Sequence, residues 1–269
     1  MQNDIKLYES YWISRYIEAK EFIKTNYPEK LEDFIARLDV FRTDPNFKIK
    51  ELPGLLNQEV LDFLRIMIHN SPKSKMELHE AESFGRIVLH NSPIFDKIQA
   101  GLTDRVSEWV GEAVEPSYNF LSLYSQKGVC EPHIDSVNAK WTLDICIEQS
   151  DPWPIHFSQI VPWLEEVPEP SESWQQDLKN DPQLKFQSKV LEPGNAILFA
   201  GSSQWHYRDP MPKTSKPGFC HLLFLHFRPK GSSEIVHPHL WAEAFDIPEL
   251  APIMGDKPTV FQYKQQSIS

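Results

Sequence analysis

The chain has 269 residues and a formal net charge of −11, with a pI near 5.4. This length is enough for one domain with a sizeable core, and the acidic balance argues against a nucleic-acid partner, because phosphate binding needs clustered Lys and Arg. The three cysteines show no C-x-x-C spacing, which favours a reducing, cytoplasmic location over a disulfide scaffold. No apolar stretch is long enough to span a membrane, and the first residues do not predict a signal peptide.

Residues 1–115 are predicted to form an N-terminal helical part that packs on a larger core. Aromatic and apolar residues recur every three to four positions within 5–40, which is typical of amphipathic helices. A second helix is predicted over 57–69, where the first residue is an asparagine suited to capping, and a third over 93–110. Between them, the segment 85–89 predicts a strand.

Residues 116–230 are predicted to form a β-rich core. Apolar, β-branched runs separated by turn residues, without intervening helices, are typical of a sandwich or jelly roll. The strands are predicted at 118–124, 130–135, 141–147 and 153–157, on either side of the Pro-Gly turn within 190–199, and at 219–227. A Pro-containing, acidic insertion at 158–189 interrupts this core, and 231–269 follows as a C-terminal extension.

Three side chains in the predicted core form a candidate metal site. His133 and Asp135 are two positions apart on an extended segment, so they face the same side. His206, from a later strand, would add a second imidazole. Two imidazoles and one carboxylate on one side of a metal leave three positions open for other ligands, as in non-haem Fe(II) oxygenases. The sequence therefore predicts that these three residues hold Fe(II) and form the catalytic centre.

An ordered series of motifs surrounds these residues. It consists of Leu123-Tyr124, Gly128, Pro132-His133-Ile134-Asp135, Trp141-Thr142-Leu143, Glu192-Pro193-Gly194-Asn195-Ala196-Ile197-Leu198-Phe199, His206 and Leu225-His226-Phe227. This series, which spans under half of the chain, resembles the Fe(II)/2-oxoglutarate-dependent dioxygenases, in the branch similar to prolyl hydroxylases. The resemblance implies a mainly β fold, a double-stranded β-helix (jelly roll, cupin-like) with flanking helices. It also implies Fe(II), with 2-oxoglutarate and O2 as co-substrates.

The resemblance further implies a basic residue that pairs with the far carboxylate of 2-oxoglutarate, near the start of the last core strand. That place falls at 219–221, which contains no Arg or Lys. Arg208 shares the inward face of His206, and its planar fork suits a carboxylate, so it is the predicted substitute unless it pairs with the adjacent Asp209. His221 and Lys140 are the alternatives.

Other residues near the predicted iron are candidates for contact with 2-oxoglutarate or substrate. Tyr124 resembles the family's tyrosine that bonds 2-oxoglutarate, and it could equally be a core aromatic. Trp141, Gln204 and Trp205 are close in sequence to the predicted ligands, so they line either the substrate cleft or the core. The insertion is predicted to be a mobile lid, whose Trp163 and Trp174 contact the substrate and whose glutamates favour an amine.

The implied reaction is hydroxylation of an unactivated C–H bond in a small molecule of the amino-acid or natural-product type, coupled to decarboxylation of 2-oxoglutarate to succinate and CO2. The alternatives are a hydroxylase of protein side chains (prolyl or aspartyl type), a non-catalytic cupin-like binding module, and a metal-dependent hydrolase or isomerase on a similar scaffold. Neither a membrane nor a nucleic-acid partner is expected. Substrate identity, the choice between hydroxylation and desaturation or cyclisation, and oligomeric state stay open.

Overall fold

A computed structural model describes residues 11–72, 76–90, 92–163 and 173–255. The helices are α1 (Tyr11–Asn26), α2 (Leu31–Leu38), α3 (Gln58–His69), α4 (Pro93–Val110), α5 (Trp174–Lys179), α6 (Trp241–Ala244) and α7 (Ala251–Met254). The strands are β1 (Lys50–Leu52), β2 (Arg86–His90), β3 (Val114–Tyr124), β4 (Cys130–His133), β5 (Trp141–Gln149), β6 (Ile155–Phe157), β7 (Gln187–Lys189), β8 (Ala196–Phe199), β9 (His206–Arg208) and β10 (Cys220–Pro229).

These strands form two antiparallel sheets. The main sheet has the order β1-β8-β5-β10-β3-β2, and the second sheet has the order β4-β9-β6-β7. Tyr124 and Leu222 of the main sheet share one buried cluster with Ile155 and Phe157 of the second sheet. The two sheets therefore pack face to face, and the face of the main sheet in this contact is called its inner face below. The combination of helices and antiparallel sheets agrees with the predicted fold class.

The outer face of the main sheet is covered by α3 and α4. Leu64 of α3 and Phe95 of α4 are buried in one cluster with Leu143 and Leu223 of the sheet. Both helices begin and end where their sequences predict. The Asn57 side chain accepts a 2.9 Å hydrogen bond from the backbone N–H of Val60 at the start of α3. Gly111 takes a left-handed conformation (φ 76°) after the end of α4.

The N-terminal helices pack against the C-terminal extension. Trp12 and Phe34 share a buried cluster with Trp241 and Phe245, and the Trp12 indole donates a 2.9 Å hydrogen bond to the carbonyl of Val236. The chain before residue 116 also supplies β1 and β2 to the main sheet. The part predicted to be helical is therefore continuous with the core through these two strands.

The predicted insertion is partly built into the fold. It contains α5 and also β7, which pairs with β6. The strand predicted from residue 190, before the Pro-Gly turn, is thus observed a few residues earlier, at Gln187–Lys189. Leu178 and Leu184 are buried, so this end of the insertion is not a free lid. The glutamates of the predicted acidic rim fall within 164–172, which lie outside the described residues. No helix in the described ranges is long and apolar enough to cross a membrane.

Candidate metal centre

The two predicted histidine ligands lie on paired strands of the second sheet. His133 at the end of β4 is directly opposite His206 at the start of β9, and their ring centroids are 4.1 Å apart. Asp135 follows β4 by two residues, and its backbone N–H donates a 2.9 Å hydrogen bond to the carbonyl of Gly201. The pairing of β4 with β9 thus brings His206 to His133 and Asp135, which precede it by about 70 residues in the sequence.

The ligand atoms of the triad converge on one point. One atom from each of His133, Asp135 and His206 lies within 4.8 Å of the other two. Asp135 Oδ1 is 3.6 Å from His133 Nε2 and 3.7 Å from His206 Nε2. Among the described residues, this is the group of histidine, cysteine and acidic side chains arranged to hold a metal ion.

Hydrogen bonds fix the tautomers of both imidazoles. His133 Nδ1 lies 2.8 Å from the carbonyl of Glu131, and His206 Nδ1 lies 2.9 Å from the carbonyl of Gln204. Because a carbonyl can only accept, each Nδ1 carries a proton, and each Nε2 is left as the atom that can coordinate a metal. The two Nε2 atoms face a carboxylate oxygen, and these three ligand atoms suit a cation. The donor set fits Fe(II).

The charge states in the site follow from its burial. Burial, together with His133, lowers the pKa of His206 to about 4, which keeps this imidazole in the neutral form that binds metals. Burial opposes ionisation of Asp135, but the adjacent imidazoles and the Thr142 hydroxyl hold its pKa below the usual value. Burial also disfavours the charged form of His133, yet Cys130 and Asp135 raise its pKa to about 10. A bound cation would take the place of that proton.

No protein-family model matches the chain, and no curated protein shows significant sequence similarity to it. Solved structures do match. HygX from Streptomyces hygroscopicus, with nickel, 2-oxoglutarate and hygromycin B bound, is 10% identical over 73% of this chain and 87% of that chain, with a TM-score of 0.52. HygX with nickel and 2-oxoglutarate matches over the same shares of the two chains with 10% identity and a TM-score of 0.50. The chain has the fold of the Fe(II)/2-oxoglutarate-dependent enzymes. The narrower prolyl-hydroxylase-like branch stays a prediction.

Arg208 and Tyr124, predicted to bind 2-oxoglutarate, are both buried in the interior of the protein. Arg208 is 2% exposed, and its Nη2 donates a 2.9 Å hydrogen bond to Asp144 on β5. Its Nη1 donates to the carbonyl of Trp153. The partner of Arg208 is thus Asp144 and not Asp209, the alternative considered from the sequence, and its charge is already balanced by this buried pair. The Tyr124 ring is also buried, and it packs edge-on against Trp153.

The structure corrects the two alternatives for the 2-oxoglutarate contact. His221 pairs with Glu148 at 2.9 Å and lies beside His69 of α3. Its neighbour Leu223, two positions along the strand, belongs to the cluster on the outer face, so His221 points away from the triad. The Lys140 ammonium donates to the carbonyl of Val40 and to Glu112, and both contacts lie outside the triad.

The predicted substrate residues mostly serve packing. Trp141 belongs to the outer-face cluster and donates to Glu112, because inner and outer positions alternate along β5. The Gln204 amide is buried and donates 2.8 Å to the carbonyl of Ser158, which anchors the turn before β9. Trp205 is 1% exposed and lies near Trp174, with ring centroids 6.3 Å apart. Trp163 packs against α1, 5.1 Å from the ring of Trp12.

Two further residues contact predicted site residues, and neither was predicted from the sequence. Thr142 Oγ1 donates a 2.7 Å hydrogen bond to Asp135 Oδ2, so its hydroxyl orients a ligand. Arg86 on β2 lies opposite Tyr124 in the register and donates a 2.8 Å hydrogen bond to its hydroxyl. The strand that contains Arg86 was predicted. Its place beside β3 had no signal in the sequence.

Proposed function

We propose that this chain is an Fe(II)/2-oxoglutarate-dependent oxygenase that hydroxylates an unactivated C–H bond of a small molecule, coupled to decarboxylation of 2-oxoglutarate to succinate and CO2. The observation that carries the proposal is the approach of His133 Nε2 and His206 Nε2 to Asp135 Oδ1, at 3.6 and 3.7 Å. The two facing sheets would then be the halves of a double-stranded β-helix, or jelly roll, with His133 and His206 at the ends of two paired strands.

The roles of the protein side chains in this proposal are to bind and to orient. His133, Asp135 and His206 hold the metal on one side and leave the opposite side for co-substrates. Iron, with 2-oxoglutarate and O2, supplies the oxidant when bound, so no side chain has to act as a general acid or base. The HygX structure has hygromycin B bound together with nickel and 2-oxoglutarate, which supports a small-molecule substrate over a protein side chain.

Two arginines are candidates for the far carboxylate of 2-oxoglutarate, because both lie near Tyr124. The guanidinium of Arg208 already donates hydrogen bonds to Asp144 and to the carbonyl of Trp153. A dicarboxylate that bound there would meet the buried charge of Asp144. This repulsion disfavours Arg208, whose role in binding 2-oxoglutarate stays a prediction.

The guanidinium of Arg86 is better placed to bind the far carboxylate of 2-oxoglutarate. Its Nε donates to Glu80 and its Nη1 donates to Tyr124 and, at 3.3 Å, to Ser122. No described residue bonds its Nη2, and 16% of the side chain is exposed. A guanidinium can bind one carboxylate with two parallel N–H donors. We therefore assign the far carboxylate to Arg86, with Tyr124 as a neighbouring donor.

Succinate release tests the proposal without knowledge of the substrate. The purified chain is incubated with Fe(II), 2-oxoglutarate and O2, and succinate is measured, because these enzymes turn over 2-oxoglutarate slowly even without substrate. We expect succinate that depends on both Fe(II) and 2-oxoglutarate, that His206→Ala abolishes, and that survives in His69→Ala, a change at an exposed histidine. No iron-dependent succinate from the wild type would refute the oxygenase and favour the binding module or the hydrolase.

A further inference from the structure

His226 occupies an unusual place in the main sheet, beside the candidate metal centre. On one side it pairs with Thr142 of β5, the residue that holds Asp135. On the other side the register shifts, because Leu225 pairs with Asn119 whereas Phe227 pairs with Pro116. Ser117 and Tyr118 of β3 therefore both lie opposite His226, which is a β-bulge. Bulges occur often next to active sites, where they redirect a side chain.

The bulge frees a carbonyl that then holds the imidazole. The carbonyl of Tyr118 accepts a 3.2 Å hydrogen bond from His226 Nδ1 and another of 3.2 Å from the Gln99 amide. Gln99, on α4, also donates 2.6 Å to the carbonyl of His226, and its Oε1 accepts 2.8 Å from Asn119. The buried side chain of Gln99 thus forms hydrogen bonds with both β3 and β10 at the bulge.

Aromatic rings fix the plane of the imidazole. The Tyr118 ring stacks on His226 with a centroid distance of 4.1 Å and an interplanar angle of 15°. The Phe120 ring lies 5.3 Å away at 22°. Phe224 is 5.0 Å from Phe120. Tyr118, Phe120 and Phe224 are only partly buried, in contrast to the buried Leu222 on the same inner face. These three rings, called the aromatic wall below, are available to contact a ligand.

The chemistry of His226 leaves one acceptor for such a ligand. Because a carbonyl only accepts, Nδ1 carries the proton and Nε2 carries the lone pair. Burial lowers the pKa of His226 to about 4, although nearby Asp135 opposes this shift, so the ring is neutral at pH 7. The residue is 2% exposed, and none of the described residues bonds its Nε2. An acceptor on the inner face that has no partner among the described residues can take a hydrogen bond from a ligand that brings a donor.

We propose that His226 orients the substrate by accepting a hydrogen bond at Nε2 from an O–H or N–H group of a planar, ring-containing molecule, whose ring lies on the aromatic wall. The proposal rests on the proposed function, because it places this molecule beside the iron. A donor held at Nε2, with the ring held by Tyr118 and Phe120, fixes which carbon of the ring system or its substituents faces Asp135. His226 is then a positioning residue that selects the oxidised carbon.

Matched probe pairs test this without the natural substrate. Indole and 1-methylindole differ in one N–H donor, and 2-naphthol and 2-methoxynaphthalene differ in one O–H donor. Binding is measured by ligand-observed NMR on the full chain with Zn(II) and 2-oxoglutarate. We expect the donor member of each pair to bind wild type about five-fold tighter, the value of one neutral hydrogen bond. Equal binding of both members to wild type would overturn the proposal.

Two variants isolate the acceptor from the ring. His226→Phe keeps a stacked ring without an acceptor, so the preference for the donor should vanish while the methylated probes still bind. His226→Gln keeps an acceptor, and part of the preference should return. An undiminished preference in His226→Phe, with an unchanged melting temperature, would also overturn the proposal. The succinate assay is independent of these probes, so failure of the oxygenase assignment and failure of the His226 assignment give different results.

Discussion

Thr142 and Asp135 form a 2.7 Å hydrogen bond in which the threonine hydroxyl donates to Oδ2 of the carboxylate. The bond leaves Oδ1 facing both imidazoles, so the carboxylate is oriented for a metal before any metal binds. Thr142 is itself fixed within β5, between β8 and β10. The rigid centre of the main sheet therefore sets the orientation of a ligand that the second sheet supplies.

Removal of this hydroxyl should weaken metal binding. Thr142→Val keeps the shape of a buried side chain but cannot donate, and loss of a hydrogen bond to a ligating carboxylate typically costs 10–100-fold in metal affinity. Thr142→Ser keeps the donor and is the matched control. Titration with Fe(II) under anaerobic conditions, or with Co(II), measures both variants. Equal affinities for valine and serine would show that Thr142 does not orient Asp135.

Gly201 should be intolerant of any side chain. A Cβ at this position would lie less than 3.0 Å from Asp135 Oδ2, from Thr142 Oγ1 and from the carbonyl of Ala139. Gly201→Ala should therefore displace Asp135, with a loss of about 1–3 kcal/mol in unfolding free energy and roughly a ten-fold or greater loss in metal affinity. Gly101→Ala, which has open space around its Cβ, is the control and should retain metal affinity. Metal binding by Gly201→Ala at the wild-type level would contradict the geometry.

Substitution of Arg86 should change the KM for 2-oxoglutarate, whereas substitution of Arg208 should change the free energy of unfolding. Arg86→Met should raise the KM for 2-oxoglutarate at least ten-fold, since loss of one partner of a buried charge pair costs about 2–5 kcal/mol. Arg208→Met should instead lower the unfolding free energy, by about 3–5 kcal/mol, because Asp144 is left buried and unpaired. Adding Asp144→Leu to Arg208→Met should restore stability with a near-normal KM. A raised KM in that stable double variant would return the 2-oxoglutarate contact to Arg208.

His226 should make the metal-free protein sensitive to mild acid. Its folded pKa of about 4 lies below the value of about 6.5 in the unfolded chain, so the unfolded state takes up the proton first as the pH falls. Stability from this group is complete above pH 6.5 and is lost towards pH 4. Between pH 7 and 5 the loss is about 2 kcal/mol. Urea unfolding of His226→Phe should show a flatter pH dependence than wild type over this range, and an identical slope would refute the shift.

Much of the local structure follows from the sequence. Asn57 marks the helix start that the structure confirms, because capping depends on neighbouring backbone groups alone. His133 and Asp135 could be predicted as a pair of ligands because side chains two positions apart on an extended segment point to the same face. The motif order then selected His206 from the other histidines. These predictions need only the local geometry of the chain and the resemblance.

Contacts between strands could not be predicted in the same way. The sequence indicates which face of its own strand Arg86 occupies, but not that β2 lies beside β3 and brings Arg86 to Tyr124. It likewise indicates that Arg208 faces inward, but not that Arg208 forms a hydrogen bond with Asp144. His226 could be taken for a core histidine, since nothing local reveals a bulge in another strand.

The sequence by itself determined the helices α1 to α4, most of the strands and the three side chains of the metal centre, because alternation and capping are properties of short segments. It did not predict the short helices α5, α6 and α7. Only the tertiary structure decided which cations and acceptors remain available for ligands. Arg208 is neutralised by Asp144, whereas Arg86 retains a free Nη2 and His226 a free Nε2 among the described residues. The physical reason is that availability depends on partners, and partners come from strands whose order and register are set by the packing of the whole sheet.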